Sequence, residues 1–295
     1  MKGSPFLFRL GTVWACLAFF APGCGSRTLT QPPDTTGPLY RWPSVSPDGT
    51  KIAYFHLTPS SLPGIGLYVA SLNTGVASQV VSGIVDSPAW SPSGRYLAYH
   101  AGVIHAIILP TGQDTTLVPV VESFNPTWSI SGDSLAYDSN ENDPRGACVI
   151  WTLDLRSGVR TDISIHQTGE WRDPDWSHAT NRLAHIRYLA GISGAEIFTM
   201  SVAGNDSARL TTNNVDDQDP TWSPSGDEIA WTRYPNIWIM NSDGSAAHRL
   251  TSGQDPAWFP SGDSLAFVDA TVPDTLQLFV IAKDGTGRRP LRFHS

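Results

Sequence analysis

Six residues that each stand immediately before a proline frame the chemistry this chain can offer: Trp42, Ser87, Asn125, Asp173, Asp219 and Asp255, with Asp86, Gln218 and Gln254 beside them. Three of the six are carboxylates, and they fall in successive copies of one recurring segment. Carboxylates gathered at a concave surface focus the local field and draw in a cationic peptide, a protein tail or a metal ion. Oxygen donors of this kind suit a hard cation, so calcium is the one cofactor the set brings to mind. The same residue types also have a backbone reason to be there, since an Asp before Pro caps the turn that enters a strand through its own hydrogen bonds. Asp86, Asn125, Asp173, Asp219 and Asp255 are therefore the expected binding residues.

Other candidates are sparser. His56, His100 and His185 sit at or just past the ends of apolar segments and could face the same way, but ordinary strand-end histidines look no different. The chain holds no metalloprotease His pair, no Gly-x-Ser-x-Gly elbow, no phosphate-cradling Gly loop and no paired-Cys metal motif. No catalytic residue is expected, and the reading is of a binding protein, not an enzyme.

The residues before proline are held in place by a repeat. Pro43-Ser44-Val45-Ser46-Pro47-Asp48-Gly49 is followed by Pro88-Ala89-Trp90-Ser91-Pro92-Ser93-Gly94, Pro126-Thr127-Trp128-Ser129, Pro174-Asp175-Trp176-Ser177, Pro220-Thr221-Trp222-Ser223-Pro224-Ser225-Gly226 and Pro256-Ala257-Trp258-Phe259-Pro260-Ser261-Gly262. The anchor prolines recur every 36 to 48 residues, the length of a four-stranded propeller blade. Ser-Pro-Ser-Gly carries the residue preferences of a type I turn. After each turn comes an apolar-Ala-large triplet: Ile52-Ala53-Tyr54, Leu97-Ala98-Tyr99, Leu135-Ala136-Tyr137, Leu183-Ala184-His185, Ile229-Ala230-Trp231 and Leu265-Ala266-Phe267. Side chains alternate along a strand, so the six alanines share a face on which the next blade packs too closely for anything larger. Third strands are expected at Gly66–Ala70, Val149–Leu153, Glu196–Met200, Asn236–Met240 and Leu278–Ile281, and Arg289 to Phe293 supplies a last outer strand. Thr28-Leu29-Thr30 has the look of a second closing strand that would latch the ring.

This segment resembles the TolB-like propeller repeat, a WD-type blade that opens Pro-x-Trp-Ser-Pro-Asp-Gly, continues with an Ile-Ala-Phe-like strand and closes on Leu-Thr. The resemblance covers residues 40 to 293 and implies an all-β fold, a six-bladed β-propeller of four-stranded antiparallel blades over residues 41 to 295. Copy four departs from it with Ser177-His178-Ala179-Thr180-Asn181 in place of the Pro-Gly turn, and copy one has Val45 at the Trp position. For function it implies a periplasmic scaffold that binds a protein or peptide of the cell envelope. The TolB-like group also contains polysaccharide lyases with a His-held metal, which keeps a carbohydrate-binding or lyase-type propeller as the alternative, and peptidases whose separate hydrolase domain is not expected here.

In a propeller the connection into each innermost strand and the loop between strands two and three share the face at the channel mouth. The longer connections, 55 to 65, 138 to 147, 187 to 195 and 269 to 275, fall there, and binding surfaces concentrate on such loops. Arg145, Trp171, Arg172, Arg187, Tyr188, Arg233 and Tyr234 are the aromatic and guanidinium groups expected near it.

The N-terminus reads as an export signal: Lys2 and Arg9, an apolar stretch from Val13 to Ala21 too short to span a bilayer, then Pro22-Gly23-Cys24. Gly23-Cys24 resembles a bacterial lipoprotein signal, which makes residues 1 to 23 a signal peptide, Cys24 the lipidated first residue and residues 24 to 40 a tether. Residues 24 to 295 carry 17 basic and 27 acidic side chains, a formal charge of −10, which excludes nucleic acid as a natural partner. Membrane contact is expected through the lipid alone, on a periplasmic or outer-membrane-associated protein. If Cys24 carries lipid, Cys148 is left without a partner for an intrachain disulfide.

Overall fold

The computed structural model describes residues 39–57, 64–141, 146–164, 169–269 and 276–294. Within them the chain forms six four-stranded antiparallel sheets, each built from four consecutive strands in the order they leave the chain. Blade 1 is Leu39–Val45, Lys51–Leu57, Gly66–Ser71 and Ala77–Ser82; blade 2 is Asp86–Trp90, Tyr96–His100, Ile104–Ile108 and Gln113–Val118. Blade 3 is Ser123–Trp128, Ser134–Ser139, Val149–Asp154 and Arg160–Asp162; blade 4 is Glu170–Trp176, Arg182–Tyr188, Ala195–Ser201 and Ala208–Arg209. Blade 5 is Gln218–Trp222, Glu228–Arg233, Asn236–Asn241 and His248–Ser252; blade 6 is Gln254–Trp258, Ser264–Asp269, Gln277–Ala282 and Arg289–Pro290. Innermost strands touch in chain order and the last touches the first, so the molecule is a six-bladed β-propeller. The first strand starts at Leu39, which moves Leu39 and Tyr40 from the expected tether into blade 1.

The repeat explains the packing. Ala53, Ala98, Ala136, Ala184, Ala230 and Ala266 are all fully buried. Each lies in a cluster with the next blade: Ala53 with Trp90 and Leu97, Ala98 with Trp128 and Leu135, Ala136 with Trp176 and Leu183, Ala184 with Trp222 and Ile229, Ala230 with Trp258 and Leu265. Ala266 closes the circle against Ile52, with Val45 filling the place a Trp takes elsewhere. The tryptophans also stitch blades together by hydrogen bonds. Trp90 Nε1 donates to the Ser44 carbonyl at 3.0 Å, Trp128 Nε1 to Ala89 at 3.0 Å and Trp258 Nε1 to Thr221 at 3.2 Å.

The irregular turn of copy four breaks this pattern. Trp176 Nε1 donates instead to Asn181 Oδ1 in its own turn, His178 Nε2 contacts the Trp128 carbonyl at 3.0 Å, and Trp222 Nε1 is buried with no hydrogen-bond partner. Asn181 takes the left-handed φ of 54° that glycine holds in the other five copies.

No strand is exchanged between the described parts of blades 1 and 6. Closure comes from the C-terminal residues: Leu276 bridges Leu39, His294 bridges Val76, and Leu291 and Phe293 pack onto the blade 1 core. The expected strand at Arg289 to Phe293 thus pairs as blade 6's outer strand only over Arg289–Pro290 before crossing to blade 1, and Thr28-Leu29-Thr30 lies outside the described residues.

Candidate functional site

Every innermost strand carries the same irregularity. The register slips at the residue before the anchor proline and at the proline itself, because proline has no N–H to give the ladder. The residue before it swings into the left-handed region in all six blades: Trp42, Ser87, Asn125, Asp173, Asp219 and Asp255 have φ between 48° and 54°. Asn and Asp enter this region at lower cost than other side-chain-bearing residues, so the backbone accounts for part of their recurrence. It does not dictate a carboxylate over an amide.

These bulges turn all six residues toward the central channel, a cavity of about 380 Å³. Below them the wall is formed by the six anchor prolines and by Ser44, Ala89, Thr127, Asp175, Thr221 and Ala257. Asn125, Asp173, Asp219 and Asp255 therefore line one cavity as expected. Asp86 does not line it: its Oδ1 turns to His100 Nδ1 at 3.1 Å, and His100 Nε2 accepts the Gly102 N–H. The residue before a proline faces the channel because of the bulge, and Asp86, two residues before Pro88, is on the other side of it.

Hydrogen bonds tie part of the mouth into a girdle. Ser87 Oγ donates to Asn125 Oδ1 at 2.7 Å, and Asn125 Nδ2 donates to Asp173 Oδ1 at 2.8 Å, which links blades 2, 3 and 4. On the other flank Asp255 Oδ2 accepts from Arg41 Nε at 3.0 Å and from the Trp42 N–H at 3.2 Å, joining blade 6 to blade 1. Along blades 4, 5 and 6 the equivalent positions are Asp173, Asp219 and Asp255, and carboxylates only accept hydrogen bonds, so they cannot continue the girdle among themselves. Deeper on the same side stands Asp175, whose Oδ2 accepts the Trp222 N–H at 2.7 Å; burial pushes its carboxyl pKa up. The channel thus has an acidic wall on blades 4 to 6 and an uncharged wall on blades 1 to 3.

One contributor escaped the sequence reading. Asp138, at the end of blade 3's second strand, is fully buried behind the mouth and shares Asn125 Nδ2 with Asp173, at 2.9 Å from its own Oδ1. The rim was also incompletely foreseen. Ile84, Val121 and Val215, which were not singled out, lie on connections that enter innermost strands, while Tyr234, expected near the mouth, tips a hairpin between second and third strands; all four are large, exposed and on the mouth face. Of the expected loop groups, Trp171 is instead fully buried, with Arg187 stacked over it at 4.5 Å, and Arg145 lies outside the described residues.

The three histidines stay apart. His56 in blade 1 stacks on Tyr40 at 4.8 Å, with its pKa lowered by burial. His100 is held by Asp86 in blade 2, and His185 in blade 4 is wholly buried against Trp171, its pKa pushed down to about 3. Among the described residues no three His, Cys, Asp or Glu side chains converge as metal ligands, so neither the lyase alternative nor calcium gains a preformed cluster. Cys148 is fully buried beside Phe124 and is disulfide-bonded to a partner outside the described residues. The other cysteines of the chain, Cys16 and Cys24, lie outside the described residues.

The family model for the TolB beta propeller domain matches residues 114–291. This chain belongs to the TolB beta-propeller family. An uncharacterized protein of Agrobacterium fabrum is 27% identical over 178 residues, 57% of this chain and 58% of the relative. Among solved structures, TolB from Acinetobacter baumannii superposes with a TM-score of 0.71 at 18% identity, over 88% of this chain and 64% of that one. A putative TolB from Agrobacterium tumefaciens gives 0.66 at 22% identity, over 76% and 87%. An oligogalacturonate lyase in complex with manganese gives 0.59 at 17% identity, over 90% and 80%. At these identities the structural likeness is one of fold. The chain spans under two thirds of the length of both the A. fabrum relative and the A. baumannii TolB.

Proposed function

We propose that this propeller is an exported scaffold of the bacterial cell envelope that binds a segment of another protein or peptide at its channel mouth, through a cationic group set against blades 4 to 6. The observation that carries this reading is the run of acceptors at Asp173, Asp219 and Asp255, with Asp175 below them. A guanidinium or ammonium brings several donors to a wall whose carboxylates can only accept. The exposed Ile84, Val121, Val215 and Tyr234 around the mouth offer apolar contact area to the partner's surface. Family membership supports the protein-binding and periplasmic parts of the reading. Export by residues 1 to 23 and anchoring by lipid on Cys24 complete it.

The test is a crosslinking capture from envelope extract with the chain from residue 24 onward, run beside Asp173→Asn/Asp219→Asn. Asn keeps the left-handed backbone and removes two charges. Asp255 is left intact, because removing its charge would strand the buried Arg41. A partner captured by the parent and lost in the double variant is expected; a partner list unchanged by the two substitutions would overturn the site.

A further inference from the structure

Behind the mouth, two carboxylates compete for one amide. Asn125 Nδ2 has two hydrogens, and it gives one to Asp173 Oδ1 at 2.8 Å and the other to Asp138 Oδ1 at 2.9 Å. Ser87 Oγ, donating to Asn125 Oδ1 at 2.7 Å, fixes the amide so that its nitrogen faces both acids. Sharing one nitrogen keeps the two acids within about 6 Å, the range in which one carboxylate's charge opposes ionisation of the other. The two differ in placement: Asp173 lines the channel, whereas Asp138 is wholly buried.

Among the described residues, groups that favour and groups that oppose its charge both face Asp138. From blade 4 it receives the Asp173 N–H at 3.3 Å and the field of Arg172, but Arg172 is itself engaged by Glu170 through its Nε at 2.7 Å. Tyr188 lies in the same group, close enough to interact with Arg172, Asp173 and Glu170. Its strand neighbours in blade 3 add no charge: Ser123–Trp128 offers Asn125 and no ionisable side chain, and Val149–Asp154 carries Asp154 at its far end, opposite Ser134. Burial and the Asp173 charge together push the Asp138 carboxyl up to about 8, against the opposing pull of Asn125 and Arg172.

We infer that Asp138 is a proton store for the channel mouth: a neutral carboxylic acid in the empty propeller, which releases its proton to solvent when a cation settles against Asp173. A cation there offsets the Asp173 charge that opposes ionisation of Asp138, so occupancy and proton release are reciprocal. Partner binding is thereby tied to the pH of the compartment. The inference rests on the reading of the mouth given above, and it assigns Asp138 a regulatory part that a merely structural buried acid would not have.

Two measurements test it, one free of any ligand. Infrared difference spectra of the ligand-free protein against Asp138→Asn, between pH 5 and 9, are expected to show a protonated-carboxyl C=O band persisting at neutral pH. In Asp173→Asn the band should titrate at lower pH, which serves even if Asp138→Asn fails to fold. N-acetylargininamide, a guanidinium without a titrating amine, is then titrated calorimetrically in buffers of differing ionisation heat. Up to one proton should be released per propeller, and affinity should rise by up to about tenfold per pH unit below the Asp138 titration. In Asp138→Asn both effects should vanish while binding remains. Absence of the carboxyl band at pH 6 overturns the inference whatever binds. Binding that releases no proton and ignores pH overturns it while sparing the mouth reading. No binding by the parent at any pH, at concentrations where a control guanidinium site fills, overturns the mouth reading and the linkage with it.

Discussion

Replacing tryptophan with phenylalanine at two equivalent positions of the repeat should cost unequal amounts. Trp128 and Trp222 are alike in burial, 3% and 6% exposed, and each packs on the alanine of the preceding blade. They differ at the indole nitrogen. Trp128 Nε1 donates to the Ala89 carbonyl at 3.0 Å, while Trp222 Nε1 is buried with no hydrogen-bond partner. Both substitutions delete the same volume, so the loss of packing cancels in the comparison. Trp128→Phe also removes a hydrogen bond worth about 1 kcal/mol net and leaves a carbonyl uncompensated at about 1–3 kcal/mol, whereas Trp222→Phe removes a buried donor that already lacked an acceptor. The expected difference is therefore about 1–3 kcal/mol in favour of Trp222→Phe, or roughly 2–10 °C in melting temperature for a domain of this size. Urea unfolding followed by circular dichroism measures it, with Trp258→Phe expected to side with Trp128→Phe. Equal costs at 128 and 222 would refute the stitching argument.

The remaining predictions concern charge and sulfur. Asp138 holds its proton more tightly folded than unfolded, so the native state binds more protons between the ordinary carboxylate range and about pH 8; its contribution to stability should fall as pH rises through that window, and Asp138→Asn should flatten this part of the melting-temperature profile. Arg41→Ala strands a buried Asp255 carboxylate at the junction of blades 6 and 1 and should cost about 3–5 kcal/mol, read by urea unfolding, where Lys283→Ala, which breaks an exposed pair with Glu228, should cost about 1 kcal/mol or less. Intact mass of the exported protein, before and after reduction and alkylation, decides between lipid and disulfide at Cys24. A diacylglyceryl mass shift with Cys148 alkylated only after unfolding supports the anchor, and a two-alkyl gain seen only on reduction supports a Cys24–Cys148 bond.

The fold was legible because the repeat states each packing requirement six times. An Ala in all six copies and a Trp in five of them predicted which blade faces touch, and those contacts are the ones found. The third strand of blade 2, Ile104–Ile108, lacked the aromatic of its counterparts and was passed over. The channel lining was legible where backbone geometry repeats: the left-handed turn before each proline aims Asn125, Asp173, Asp219 and Asp255 into the channel. Asp86 was misplaced because one residue of offset across a bulge changes the side of the strand. Asp138 was missed because nothing in the motif marks it; its importance comes from sharing Asn125 with Asp173, 35 residues away. A signal existed in hindsight, an Asp where the other second strands carry Phe, His, Ile, Thr and Val.

The most direct test of the central claim is photocrosslinking in cells from two positions on opposite faces, Tyr234 on the mouth rim and Ile130 in a turn at the far end, both exposed. The account predicts a protein adduct from Tyr234 that disappears in Asp173→Asn/Asp219→Asn, and none shared by Ile130. An adduct formed from Ile130 alone, or one from Tyr234 indifferent to the two carboxylates, would contradict it.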